Sequence, residues 1–145
     1  MIHQMTIEDY DKVYDLWINT AGMGLNNVDD SREGIDKFLR RNPTTCFVAE
    51  KDLRIIGVIL GGHDGRRGYI YHMTMLGEYR KCGIGRALVE SVMQAFKDEG
   101  ISKVALVVFK KNELGNKFWE KLGFAMRTDL AYRNRSICEL ERIDT

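Results

Sequence analysis

A chain of 145 residues, 44% hydrophobic and 30% charged with a single proline, is sized and composed for one compact domain spanning residues 1–145. Its 22 basic and 21 acidic residues leave a formal charge of +1, so no global field draws nucleic acid or a membrane surface, and any basic site must be local. Met1-Ile2-His3-Gln4-Met5 has neither a basic start nor an apolar run, and no stretch is long enough to cross a bilayer, so the expectation is a cytoplasmic protein without a signal peptide. Cys46, Cys82 and Cys138, widely spaced and odd in number, read as reduced thiols with no metal-ligand pattern.

Residues 2–5 suit a short strand, and Thr6 with Asp9 resembles a capping box for the helix that follows. Tyr10, Val13, Tyr14 and Trp17 form one apolar stripe at helical spacing. The Gly- and Asn-rich residues 19–30 read as a loop, after which Asp30 with Glu33 can cap a second helix that turns Ile35, Phe38 and Leu39 inward and ends at Asn42-Pro43. From Thr45 the period changes. Residues 45–50 and 55–60 are strand-like runs joined by a polar turn, and a second hairpin turns at residues 63–68 and returns as residues 69–76. A long helix from Ile84 to Glu99 should bury Ile84, Leu88, Val89, Val92, Met93 and Phe96 and stop at Gly100. Residues 103–109 are nearly all apolar, as a strand covered on both faces must be, and should lie parallel to the strand ending at Leu76 because a helix connects them. A short helix over residues 112–122 follows, ended by Gly123, and the alternation of residues 124–140 predicts two final strands.

The stretch between the fourth strand and the long helix, Glu78-Tyr79-Arg80-Lys81-Cys82-Gly83-Ile84-Gly85-Arg86, reads as an anion-binding loop. Gly83 and Gly85 allow the backbone to bend and bring N–H groups to a ligand, the helix start adds unsatisfied donors, and Arg80, Lys81 and Arg86 add cations. A dinucleotide fingerprint needs a small residue where Leu88 stands and an acidic one near Ala105, and a Walker loop needs Gly-Lys-Ser/Thr where Gly85-Arg86-Ala87 stands, so neither motif is met. A nucleotide-binding regulatory domain is disfavoured on that ground.

The remaining pattern, R-x-x-G-x-G opening a helix, resembles the acetyl-CoA pyrophosphate loop of the GNAT family of N-acetyltransferases. Residues 112–124, Asn-Glu-Leu-Gly-Asn-Lys-Phe-Trp-Glu-Lys-Leu-Gly-Phe, resemble the family's N-x-x-A-x-x-L-Y-x-x-x-G-F stretch. Gly22-Met23-Gly24-Leu25 and Asp64-Gly65-Arg66-Arg67-Gly68 also look like a bacterial subgroup of that family without an assigned substrate. The resemblance implies an α/β (α+β) fold: a mixed, mostly antiparallel sheet of six to seven strands, four helices, and a parallel fourth and fifth strand splayed around the cofactor. It implies acetyl-CoA as co-substrate, with pyrophosphate on the main chain of Lys81, Cys82, Gly83, Ile84, Gly85 and Arg86, and Arg80 beside it. The pantetheine arm would lie along Met73, Thr74 and Met75, and Asn112 and Trp119 would also meet the cofactor.

Trp119 stands where the family usually has a tyrosine, and Val107 where some members have a basic glutamate. An indole cannot protonate a departing thiolate near neutral pH, so no acid–base pair is inherited intact. The resemblance places the base of some members on the fourth strand at the positions of Tyr69 and Tyr71, which implies that both face the substrate groove, with Tyr71 the candidate catalytic residue and Tyr69 on the acceptor side, while strand alternation points His72 to the opposite face. Asp29 and Asp30 are candidates for recognising a cationic amine. The expected function is direct acetyl transfer to a small-molecule or peptide amine, with no metal, nucleic acid or membrane partner and a homodimer as an option through the final strands. The alternative is a CoA-binding sensor or interaction module with little transferase activity.

Overall fold

The computed structural model describes residues 1–143. Strands β1 (Ile2–Gln4), β2 (Cys46–Lys51), β3 (Arg54–His63), β4 (Gly68–Met75) and β5 (Val104–Ala105) form one sheet in chain order. The first four are antiparallel neighbours and β5 lies parallel to β4. Alternate residues of the central strands part to the two faces, as strand geometry requires. Val48, Ile55 and Val58 join helices α1 (Tyr10–Ile18) and α2 (Arg32–Arg41) in one core. Ala49, Ile56 and Ile59 join helix α3 (Ile84–Asp98) in the other, against which α4 (Glu113–Lys121) packs Phe118 and Trp119.

The helices follow their sequence signals with two corrections. Ser31, not Asp30, caps α2: its hydroxyl accepts from the Gly34 N–H at 3.0 Å, which frees the Asp30 carboxylate for other partners. Met93, expected in the core, is exposed, while Leu88, Val89, Val92 and Phe96 are buried as predicted. α3 ends as its glycine foretells. Gly100 takes φ +77°, its N–H bonds the Lys97 carbonyl at 3.0 Å and that of Ile101 bonds Phe96 at 3.0 Å, the paired bonds of a Schellman close.

The sheet has five strands among the described residues, not six to seven. β5 covers only Val104–Ala105, with Val107 and Phe109 exposed, so the apolar run of residues 103–109 is not covered on both faces. No strand forms over residues 124–140; Met126, Leu130, Tyr132 and Ile137 are exposed, and the tail meets the body through an antiparallel bridge between Asn26 and Arg142. Alternation signals a strand only when one of its faces finds a surface to cover, and this tail has no long β5 edge to pair with.

The β2–β3 hairpin closes through Asp52 and Leu53, both left-handed at φ +52° and +63°, the geometry of a type I′ turn. Leu53 is 82% exposed, so no packing offsets the strain of a branched side chain there. Leu53→Gly is expected to stabilise the fold by about 0.5–1 kcal/mol, read as a higher urea midpoint at unchanged slope.

Candidate functional site

A short 3-10 turn, Gly77–Tyr79, carries the chain out of β4 and into the glycine loop. Lys81 and Gly83 adopt left-handed φ of +65° and +81°, which curls the backbone into a concavity that presents N–H groups. Gly83 is the N-cap of α3. It offers no side chain to the first-turn donors, and that turn holds no acidic residue. In α2 and α4 a Ser31 hydroxyl and an Asn112 amide oxygen fill this role. The fifteen-residue helix α3 therefore ends in open donors and an uncompensated positive dipole, the arrangement that suits phosphate. Arg80, Lys81 and Arg86 are exposed around it, although Arg86 bonds Glu90 at 3.0 Å. Gly85 is helical and is needed for another reason. A Cβ there would lie 3.3 Å from the Met73 methyl and 3.4 Å from the Phe118 ring, so glycine lets α3 seat closely on its neighbours.

β4 and β5 pair only at Gly68↔Val104 and Tyr69↔Ala105, whereas β4 continues for six more residues to Met75. Among the described residues the β5-facing edge of β4 has no strand partner beyond Tyr69, which leaves its backbone groups open to an extended chain as an added strand. Met73, Met75, Ile84, Phe118 and Trp119 pack around the same core on this side. Trp119 is held edge-on between Phe118 and Phe124, each with ring centroids 5.1 Å away. The Asn112 side chain is occupied locally, accepting from the Gly115 N–H at 2.9 Å as the α4 cap. A cleft of about 520 Å³ opens beside α1 at the end of β4, between Lys12, Leu16, Ala21, Arg54, Met75 and Arg80.

The register of β4 departs from simple alternation. Leu60 faces Tyr71 and Val58 faces Thr74, so Ile59 opposes both His72 and Met73, a β-bulge. His72 takes a left-handed φ of +48°. The extra residue reverses the pattern. Tyr71, His72 and Thr74 lie toward the α1 and α2 face, where His72 meets Trp17 edge-on at 5.1 Å and Thr74 meets Met23, while Met73 and Met75 go to the α3 core. His72, expected on the opposite face from Tyr71, therefore shares its face.

On that face His72 Nε2 lies 2.7 Å from Asp30 Oδ1. Asp30 is buried; its Oδ2 accepts the Asn26 N–H at 2.9 Å and its carbonyl accepts the Tyr10 hydroxyl at 2.7 Å. Burial first, then the neighbouring Tyr14 and Asp30, pushes the Tyr10 phenol up to about 12, which keeps that donor protonated. Asp30 is thus tied into a buried network and is not free to meet an amine in water, whereas Asp29 is exposed, accepting from the Asn26 side chain at 3.0 Å. Tyr69 and Tyr71 lie beside each other with ring centroids 4.6 Å apart, and Tyr71 also meets Phe38 edge-on. Burial raises both phenols above their usual range, with Tyr132 of the tail adding to the shift, so neither is a ready base near neutral pH.

Sequence reasoning missed the Asp30–His72 pair, Tyr132 and the Trp17 wall. Histidine tolerates left-handed φ better than most residues, but the bulge that uses this tolerance depends on pairing with β3. Among the described residues no group of histidine, cysteine and carboxylate side chains could hold a metal ion, and no helix is long and apolar enough to cross a membrane.

The uncapped, glycine-opened start of α3 thus stands beside a parallel β4–β5 pair that ends at Tyr69. The sequence pattern of the acetyltransferase (GNAT) family matches residues 10–124, and the chain belongs to that family. It is an N-acetyltransferase, with acetyl-CoA as its co-substrate. It is 31% identical over 120 residues to an acetyltransferase of Photorhabdus laumondii, covering 83% of this chain and 82% of that one. An acetyltransferase of Sodalis glossinidius is 28% identical over 132 residues, covering 91% and 92%. The fold is similar to that of a PaiA N-acetyltransferase from Thermoplasma acidophilum in complex with coenzyme A, with a TM-score of 0.76, 21% identity and coverage of 88% and 90%.

Proposed function

We propose that residues 1–145 form one domain that transfers acetyl directly from acetyl-CoA to a primary amine, of a small molecule or a peptide, in the cytoplasm. The observation that carries this reading is the conjunction of the uncapped α3 N-terminus with the unpaired edge of β4. In this reading the N–H groups of residues 81–86 hold the pyrophosphate, with Arg80 beside them, and the main chain of Met73, Thr74 and Met75 holds the pantetheine. A fixed N–H on that edge polarises the thioester carbonyl, where charge develops during attack. Trp119 and the α4 start at Asn112 flank the arm. The acceptor enters on the other side of β4, past Tyr69 and Tyr71, where the exposed Asp29 attracts a cationic amine. Tyr71, a phenol protonated near neutral pH, acts as a hydrogen-bond donor to substrate.

The test is thiol release from acetyl-CoA across a broad panel of amines. Amine-dependent release is expected, and Asp29→Asn should raise the acceptor KM several-fold while leaving CoA affinity unchanged, since Asp29 is remote from the glycine loop. A second reading, a CoA-binding sensor, is favoured by Trp119, whose indole replaces the usual phenol. It predicts CoA binding without amine-dependent release from any member of the panel.

A further inference from the structure

We infer that His72, oriented by Asp30, is the base that takes the proton from the acceptor amine. This rests on the transfer reading above. The β4 bulge puts His72 at the point where the strand's side chains change sides, between the tyrosines of the acceptor face and the stretch assigned to the pantetheine. A left-handed φ is uncommon at a non-glycine residue, and here it turns the imidazole onto the Tyr71 side, into contact with Trp17 and Asp30.

The pair has the logic of an oriented histidine. Asp30 already accepts the Asn26 N–H through Oδ2 and accepts through Oδ1 as well, so the proton of a neutral imidazole sits on Nε2. Nδ1 then carries a lone pair and has no hydrogen-bond partner among the described residues. The side chain is 19% exposed against 4% for Asp30, so the pair is buried on the carboxylate side and open on the imidazole side. Trp17 walls one face edge-on, and Thr74 Oγ1 bonds the His72 carbonyl at 2.9 Å, which fixes the bulge.

The titratable groups around it come from every neighbouring element. Asp30 faces it from the loop, Tyr10 from α1 through the Asp30 carbonyl, and Tyr71 from β4, with Asp29 acting on Tyr71. Tyr132 approaches Tyr71 from the tail, Arg142 is brought to the loop by its bridge to Asn26, and Arg32 lies over the Tyr10 ring. In the step itself, the amine nitrogen forms a C–N bond to the thioester carbon and the C–S electron pair leaves with sulfur. One N–H proton passes to His72 Nδ1 and then to solvent, while the thiolate takes a proton to leave as the CoA thiol.

His72→Asn suits the test because asparagine also tolerates left-handed φ. On one amine that wild type turns over, it is expected to lower kcat about a hundredfold, to abolish the acid limb of the kcat profile, and to leave CoA affinity within twofold. Unchanged kcat, or a fall with the acid limb intact, overturns the assignment while leaving the transferase reading standing. No turnover by wild type on any amine overturns that reading and this one with it. A second measurement needs no mutant: nitrogen NMR of the neutral imidazole should find the proton on Nε2. A proton on Nδ1 would overturn the base.

Discussion

Gly83→Asp is expected to weaken CoA binding at least tenfold, about 1.4 kcal/mol, in a protein that still folds cooperatively. Gly83 is exposed, and a Cβ built on it meets nothing within 4 Å, so the new side chain has room. Its left-handed φ of +81° is one that aspartate tolerates better than most residues. Negative charge at the start of a helix is favourable to the helix itself. The carboxylate thus competes with the pyrophosphate for the same donors while the helix start offsets part of the backbone strain, so the loss of affinity should exceed what any loss of stability explains. Gly83→Asn, which adds bulk without charge, should lose less affinity than Gly83→Asp. Calorimetry with CoA and thermal unfolding of the three proteins decide it; equal affinity in folded Gly83→Asp would remove the loop from the cofactor site.

Much of this site was legible because its signals are local. Glycine spacing before a helix, the i, i+3, i+4 stripe of Tyr10 to Trp17 and the terminating Gly100 each act within a few residues of where they are read. His72 was misplaced because its side of the sheet depends on how β4 registers against Ile59, a partner distant in sequence, and one extra residue inverts everything after it. Asp30 was read as a cap because capping is a local habit of aspartate. Ser31 takes that position, and what Asp30 binds instead lies 42 residues away. The tail failed for a related reason: its alternation is real, but no strand edge at β5 was available to give it a partner. Contacts with Tyr132 come from that same tail and carry no signal in sequence spacing.

The largest stability effect is expected at Phe96, and it bears on the cofactor loop because α3 carries both. The Phe96 ring is 1% exposed and fills the space left by glycines on two strands. A Cβ on Gly61 would lie 2.9 Å from it and one on Gly68 3.0 Å. Phe96→Ala should cost about 3–5 kcal/mol through lost burial and the cavity left behind, a large share of the stability of any domain this size. Gly68→Ala alone should also destabilise, by about 1–3 kcal/mol, since the three atoms nearest its added methyl all belong to the Phe96 ring, at 3.0–3.2 Å, and the ring must give way. Combined with Phe96→Ala, however, that methyl enters the void and the clash is gone. The double mutant should therefore be more stable than the sum of the single losses predicts, by roughly 1 kcal/mol or more of coupling. Urea unfolding of the four proteins measures this, and strict additivity would mean that the ring does not occupy the space above Gly68. CoA should raise the unfolding temperature of all four, because a ligand that binds only the folded state stabilises it whatever the core has lost. A Phe96→Ala protein that folds yet gains nothing from CoA would show that the packing of α3 onto the sheet is itself required to aim the loop.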